Sequence, residues 1–332
     1  MPWTLSELSK IETDTLRRSV IDTLLMESNP MQMIPWETIG KLSTTVVKIQ
    51  DLPSVGFRKI NEGYSEAVGH FEQKTEVISL LGGMIDTDKA LARASNTIAD
   101  ARAIQQQLML KAIAYKFNDR FINGNPATDP TEFMGIQKRV DAVVNEGFTD
   151  QFVDNAGVTG AARDDGILYN DAAGYNFLNK LDQLMYAIKG HNPDYLFMNR
   201  KTLLAARSLL RKLRLLDQGK DSFDRIVDVY AGAKLVDIGT KSDQVTDIIT
   251  NTEDPQGVYT SDISTSVYAV KFGVGDMLWG IQEYPLEVTD KGLLESKPVY
   301  RTEVDWPLGL AHVDPRCIAR LANVFPDDTI HS

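Results

Sequence analysis

Residues 84–124 read MIDTDKALARASNTIADARAIQQQLMLKAIAYKFNDRFING, a stretch with neither glycine nor proline from Met84 through Asn123. It opens on the acidic Asp86-Thr87-Asp88, which suits the positive end of a helix, and stops at Asn123-Gly124. The reading is one uninterrupted helix from Thr87 to Asn123, about 50 Å long. Leu91, Ala94, Ile98, Ala101, Leu108, Ala112 and Tyr115 recur at spacings of three and four, broken only by Gln105, and predict one narrow apolar face. A coiled-coil dimer would use such a face. The flanking sequence is rich in strand signals, which favours a helix laid across a sheet of its own chain. A spine of this length between segments without their own cores points to a structural subunit and away from an enzyme.

On the N-terminal side, Thr4-Leu-Ser-Glu7 is a capping box before Leu8, Leu16, Val20, Leu24 and Leu25, the pattern of an amphipathic helix that ends near Asn29-Pro30. From Pro30 to Gly40, two prolines and the anchors Met33 and Trp36 predict an extended arm lying on another surface; folding back onto its own domain is the alternative. Thr44 to Leu81 reads as β structure, with Val47 and Ile49 alternating with polar residues, a Thr/Val/Ile-rich stretch at 71–80, and glycines at 56, 63 and 69 between them. Too few large apolar residues are present for a core, so the segment reads as a long projecting hairpin.

On the C-terminal side, Gly124 to Asp171 is loop-like apart from apolar patches at 133–136 and 140–144. A helix carrying Leu178, Leu181, Leu184, Met185 and Ile188 ends at Gly190, a strand runs from Tyr195 to Met198, and a second helix begins near Asn199, which implies a mixed α/β unit. Strands are then predicted at 226–230, 234–238, 267–272, 278–282, 286–289, 299–304 and 316–324. The helix from Arg200 to Arg214 places Arg207, Arg211 and Arg214 in one stripe beside Leu203, Ala206, Leu210 and Leu213. Such a stripe binds phosphate or pairs with acidic residues of a neighbouring subunit; the negative overall charge favours pairing.

The chain of 332 residues is 43% hydrophobic and 24% charged, the composition of an ordinary folded protein with room for two domains. Its apolar runs are too short to span a bilayer, and no signal-peptide pattern is present at Met1, so cytoplasmic synthesis is expected. A formal charge of −11 opposes nucleic-acid binding over most of the surface. The lone Cys317 cannot form an internal disulfide, and following Pro315 beside Ile318 it reads as a small core residue. His70, His191, His312 and His331 make no metal-binding spacing. Gly273-Val-Gly275 lacks the third glycine of a dinucleotide loop, Leu278 standing there, and reads as a turn. Gly219-Lys220 is followed by Asp221, so it is no Walker loop, and no GxSxG elbow occurs. No catalytic, cofactor-binding or metal-ligating residue is assigned, and no cofactor is expected.

The order of arm, projecting hairpin, long helix and mixed domain closed by strands resembles the major capsid protein of tailed bacteriophages, with the Hong Kong 97-like capsid fold. Three stretches carry the resemblance: LGLAHVDPRCI at 308–318, Phe133-Met-Gly135-Ile136 after the long helix, and HNPDYLFMN at 191–199 leading into a helix. The resemblance implies an α+β fold. Its parts would be an N-terminal arm at 1–44, an extended loop at 45–83, a peripheral domain at 84–139 with 284–312 around the spine helix 87–123, and an axial domain at 140–283 with 313–332. It further implies homo-pentamers and homo-hexamers closing an icosahedral shell in the virion, assembled in the host bacterial cytoplasm. The shell would have a portal at one vertex, packaged DNA contacted non-specifically, and no membrane.

Some relatives of this kind join a lysine of the extended loop to an asparagine near the closing motif by an isopeptide bond. Lys59 and Lys74 are available, but no asparagine lies between Asn251 and Asn323, and the corresponding neighbourhood reads Lys297-Pro298-Val299. No covalent cross-link is therefore expected, and denaturing gels of purified particles should give a single band; a ladder of covalent oligomers would contradict this. Contacts are then noncovalent, with room for a decoration protein. No charged helical extension resembling a built-in scaffold precedes the arm, so a separate scaffolding protein is expected. An encapsulin-type nanocompartment shell and an α/β enzyme are the competing readings.

Overall fold

Two β-sheets, with the long helix packed among them, position everything that follows. The computed structural model describes residues 28–51, 53–89, 98–155, 164–220, 226–253, 264–327 and 330–331. The predicted helix after Thr4 and the spine-helix positions at 90–97 lie outside the described residues.

In chain order the helices and strands are α1 (Asn29–Met33), β1 (Trp36–Thr38), β2 (Ser43–Asp51), β3 (His70–Val77), β4 (Ser79–Asp88), α2 (Ile98–Asn123), α3 (Ile136–Asn145), β5 (Phe152–Asp154), β6 (Asp164–Asp165), α4 (Asp171–Ala187) and β7 (Tyr195–Met198). They continue as α5 (Arg200–Leu213), β8 (Asp217–Lys220), β9 (Ile226–Tyr230), β10 (Ala233–Asp237), β11 (Thr265–Val270), β12 (Leu278–Gln282), β13 (Glu287–Leu293), β14 (Val299–His312), β15 (Ile318–Val324) and β16 (Ile330–His331). One sheet runs β1-β12-β14-β13, with β4 also paired to β14; the other runs β5-β15-β11-β7-β10-β9-β8. Among the described residues β2 and β3 pair only with each other.

The segment after Ser28 does not behave as an arm awaiting another surface. The Ser28 side chain accepts from the Met31 amide and caps α1. Met31, Ile34 and Trp36 are buried, and β1 adds in parallel to β12. The reason is aromatic: Trp36 lies 4.9 Å from Trp306 and 5.9 Å from Phe117, ring centroid to centroid. Gly280 makes room for it, since a Cβ there would come within 2.5 Å of the Trp36 ring. Gly280→Ala is accordingly expected to cost about 1–3 kcal/mol in urea unfolding.

The long helix needs two corrections. Thr87 and Asp88 are strand, paired in β4 with Tyr300 and Val299, so the backbone at these two residues is committed to a ladder and helix does not begin before Lys89. The side chains of Leu91, Ala94, Ile98 and Ala101 lie outside the described residues, and from Gln105 onward the buried face of α2 is not the one predicted. Leu110, Ile113, Ala114, Phe117 and Phe121 are buried, whereas Leu108 is 59% exposed and Ala112 is exposed. The larger side chains at the first set of positions outweigh the alanine-rich stripe. The helix does lie on its own sheet: Met109 approaches Gly83 of β4, and Gln106 donates to Thr302 of β14.

Loop-like residues at 124–171 contain a helix, α3. Ile136, Val140 and Val143 form its buried face, which unites the two apolar patches under one helical period. The seven-stranded sheet separates two cores. On one face Leu196, Met198, Val267, Ala269, Ala319 and Leu321 meet α4 and α5, while Phe197, Tyr268, Val270 and Ile318 point into the core shared with α2 and α3. The predicted strand at 299–304 continues through His312, because the Trp306-to-Leu310 stretch is buried against β12 and β4. The predicted strand at 316–324 begins at Ile318, after a 3₁₀ turn at 315–317.

Candidate assembly surface

The β2–β3 hairpin presents two different faces. Strand alternation sends Val46, Lys48, Lys74 and Glu76 toward the body and Thr45, Val47, Gln73, Thr75 and Val77 away from it. At its root, Val46 and Ile78 pack on Trp279, Ile281 and Ala311. Gly309 of β14 allows this approach: a Cβ there would lie 2.9 Å from the Val77 carbonyl oxygen.

The root is also tied by a buried polar network centred on Arg139 of α3, which is 1% exposed. Its Nη1 and Nη2 donate to the Glu76 carboxylate at 2.8 and 2.9 Å. Nη1 also meets His312 Nδ1 at 2.7 Å, Nη2 donates to the Leu310 carbonyl at 2.7 Å, and Nε donates to the Met134 carbonyl at 3.0 Å. All five guanidinium N–H groups are thereby used. At the other end of α3, Glu146 accepts from Lys48 Nζ at 3.4 Å.

Three cations, Lys48, Lys74 and Arg139, share this region with the carboxylates Glu76 and Glu146. Burial and the neighbouring Lys48 lower the Lys74 pKa. Burial, then Arg139, Lys48 and Lys74, hold the His312 pKa well below its ordinary value. Because Arg139 only donates, His312 Nδ1 must accept, which leaves the proton on Nε2, a buried atom with no partner among the described residues.

A pH dependence follows. The unfolded chain takes up the His312 proton near pH 6.5 and the folded chain does not, so stability falls as pH drops through that value. Between pH 7.5 and 5.5 the unfolding free energy should fall by about 1.4 kcal/mol more in the natural chain than in His312→Gln, read from urea titrations at both pH values. Equal falls would mean that His312 is protonated in the fold.

Away from the root the hairpin is open to solvent. Every residue at 53–68 is exposed, among them Val55 at 95%, Ile60 at 90%, and Phe57, Tyr64 and Val68. Phe71, Val77 and Leu42 add exposed apolar area along its flank. Clustered apolar exposure on this scale marks a surface that is covered in use. Arg58 lies 5.2 Å from the Tyr64 ring centroid, which stiffens the tip locally.

The residues singled out from sequence are scattered. Cys317 is buried, and its thiol pKa is pushed up to about 12 by desolvation, which makes it unreactive. Gly273-Val-Gly275 forms the turn between β11 and β12, with Gly275 at φ +81°. His70 opens β3, His191 follows α4, His312 is in the network above and His331 is in β16. In the basic stripe of α5, Arg207 pairs with Asp228 of the same chain, while Arg211 and Arg214 are exposed; Lys212, beside the stripe, pairs with Asp171. Lys59 is on the exposed tip, whereas Lys74 faces the body beside Lys48. Among the described residues no cluster of three His, Cys, Asp or Glu is placed to hold a metal ion, and no helix is long and apolar enough to cross a membrane.

Arg139, Glu76 and Lys48 were not legible as a set, although each left a signal. Arg139 interrupts the apolar face Ile136-Val140-Val143, and Glu76 and Lys48 share strand parity with Ile78 and Val46.

Comparison with solved structures places this arrangement. The capsid of an empty GTA particle superposes with a TM-score of 0.54 at 15% identity, over 90% of this chain and 90% of that one. The chain has the Hong Kong 97-like capsid fold. This capsid fold also aligns with a structure from Mycobacterium phage Bobi, at TM-score 0.52 and 12% identity over 90% of this chain and 89% of that one. The holo-SrpI encapsulin complex from Synechococcus elongatus aligns at TM-score 0.59 and 14% identity, over 95% and 91%. In sequence, residues 12–165 match the family model described as major capsid protein GP7. No curated protein sequence matches. The matched residues include α3 and the whole projecting hairpin.

Proposed function

We propose that this chain is a structural major capsid protein, not an enzyme, whose copies associate as pentamers and hexamers into an icosahedral shell around the double-stranded DNA of a tailed phage. The observation that carries the reading is the apolar, fully exposed tip of the hairpin on a chain with the capsid fold and a major-capsid-protein sequence match. Such a tip is costly in water and is stabilised when neighbours bury it, and rotational symmetry repeats each contact around a ring. In this reading residues 1–44 are the arm, folded onto its own chain from Ser28, 45–83 the extended loop, 84–139 with 284–312 the peripheral domain, and 140–283 with 313–332 the axial domain, with β1, the start of β4 and β12 adding to the sheet of the peripheral domain. A separate scaffolding protein, a portal, a decoration protein and non-specifically held DNA complete the particle.

Electron microscopy of the expressed protein, alone and with a candidate scaffold, tests this. Closed shells support it, and persistent monomers or dimers under every assembly condition overturn it. The likeness to an encapsulin supports a second reading, a shell around an enzyme cargo. What co-purifies with the shells, DNA or a cargo enzyme, separates the two. Maturation of a precursor shell would bend the long helix and redirect the hairpin; superimposable helices and hairpins in immature and mature shells would argue against that.

A further inference from the structure

The basic stripe of α5 is only partly used within the chain. Arg207 is held by Asp228, and Lys212 beside the stripe by Asp171. Arg211 and Arg214 are exposed, and their side chains have no ion-pair partner among the described residues. They stand at one end of the seven-stranded sheet: α5 packs over β10, and the chain leaves it through Arg214 and the exposed Leu215 into the edge strand β8. Asp217, at the start of β8, is the carboxylate nearest to them in sequence.

The opposite edge of that sheet is β5, about 29 Å away at about 4.8 Å per strand spacing. Here a groove of about 500 Å³ runs between β5 and the outer face of α4, with Phe152, Gln183 and the exposed Tyr186 among its walls. Asp150 in the groove is exposed and without an ion-pair partner among the described residues; Asp154 accepts from Asn323 through one oxygen. Lys180 is the cation that lines it. Neither edge is built to extend a ladder, since β5 has three residues and β8 reads Asp-Gln-Gly-Lys. What the two edges offer instead is side chains of opposite charge beside apolar surface, on opposite sides of one sheet.

We propose that successive copies in a ring meet through the two ends of this sheet, with Arg211 and Arg214 of one subunit pairing with Asp150 and Asp154 of the next and Leu215 entering the groove beside Phe152 and Tyr186. A ring needs two different, complementary patches on each copy, whereas a patch that meets itself gives a two-fold dimer. Basic facing basic repels, so these patches favour the head-to-tail arrangement and set its direction. At a formal charge of −11 whole copies repel each other, which leaves attraction to local pairs of this kind. The ring rests on the shell reading; which two surfaces meet does not follow from that reading and is tested separately.

Charge reversal on the full chain tests it. One variant carries Arg211→Glu and Arg214→Glu, the other Asp150→Lys and Gln183→Lys; all four positions are exposed, and Asp154 keeps its bond to Asn323. Each variant should keep the natural urea midpoint as unassembled protein and lose closed shells by about tenfold or more, seen by sedimentation and electron microscopy. The chain with all four substitutions restores opposite charges across the contact and should return to within about threefold of the natural yield. An equal mixture of the two variants should form hexamers, in which they can alternate, but few closed shells, because an odd ring cannot alternate and every pentamer keeps a repelled contact. Natural yields from either two-substitution variant overturn the proposal, as does a four-substitution chain no better than its parents. If Arg211→Glu with Arg214→Glu leaves shells intact but abolishes retention of duplex DNA, the stripe faces nucleic acid and the proposal is wrong. A natural chain that never assembles overturns the shell reading itself, a result distinct from natural-yield shells that ignore the reversals.

Discussion

Replacing Arg139 with methionine is expected to destabilise the folded chain by about 3–5 kcal/mol, one of the largest effects of any single substitution in this protein. The loss does not measure the strength of an ion pair. It comes from stranding Glu76, a buried carboxylate, with its bidentate partner gone and only Lys48 and Lys74 nearby, and from unpairing the buried Leu310 carbonyl and His312 Nδ1. The same reasoning predicts that Glu76→Leu alone is comparably harmful, since it leaves three cations around a neutral histidine. The double variant Arg139→Met/Glu76→Leu removes both charges together and should recover most of the loss, ending within about 2 kcal/mol of the natural chain. Urea unfolding of unassembled protein at pH 7.5 decides it. A double variant that loses the sum of the two single losses would mean that the groups act independently and that the network is no unit.

Why the network escaped sequence reading is instructive about what sequence encodes locally. The strand at Tyr195–Met198 and the helix beginning after Asn199 could be read directly, because an apolar run of strand length abuts a residue whose side chain caps the next helix: Asn199 accepts from the Thr202 amide. The hairpin was legible for a similar reason, as alternation without a core. The buried face of α2 was not, because its large residues, Ile113, Phe117 and Phe121, follow one helical stripe and its alanines another, and only the approach of Trp36, Phe133 and Trp306 decides between them. α3 looked like loop because Arg139 interrupts its apolar face. A buried arginine is unreadable until its carboxylate is known, and that carboxylate lies 63 residues away on another element. Long-range pairing is the part of the fold that local pattern does not carry.

The second large effect concerns association and leaves folding intact. Phe57→Asp and Ile60→Asp, made together, replace two apolar side chains that touch little of their own chain, so the monomer should keep its stability within about 0.5 kcal/mol. If the tip is buried by a neighbour in the shell, each of these residues contributes about 1.5–3 kcal/mol on burial, and the introduced carboxylates would carry a desolvation cost as well. A loss of about 3 kcal/mol weakens one contact by about a hundredfold, and symmetry imposes that loss at every equivalent contact of a ring at once. The protein concentration needed for shells should therefore rise by at least about a hundredfold, measured by sedimentation and electron microscopy with circular dichroism confirming an unchanged fold. Introducing aspartate at Thr45, a polar outward-facing residue on the gripped root, supplies the matched control and should have a much smaller effect. Shells of normal yield from the tip variant would place the subunit contacts elsewhere, and would leave the exposed apolar tip to a partner other than a second copy of this chain.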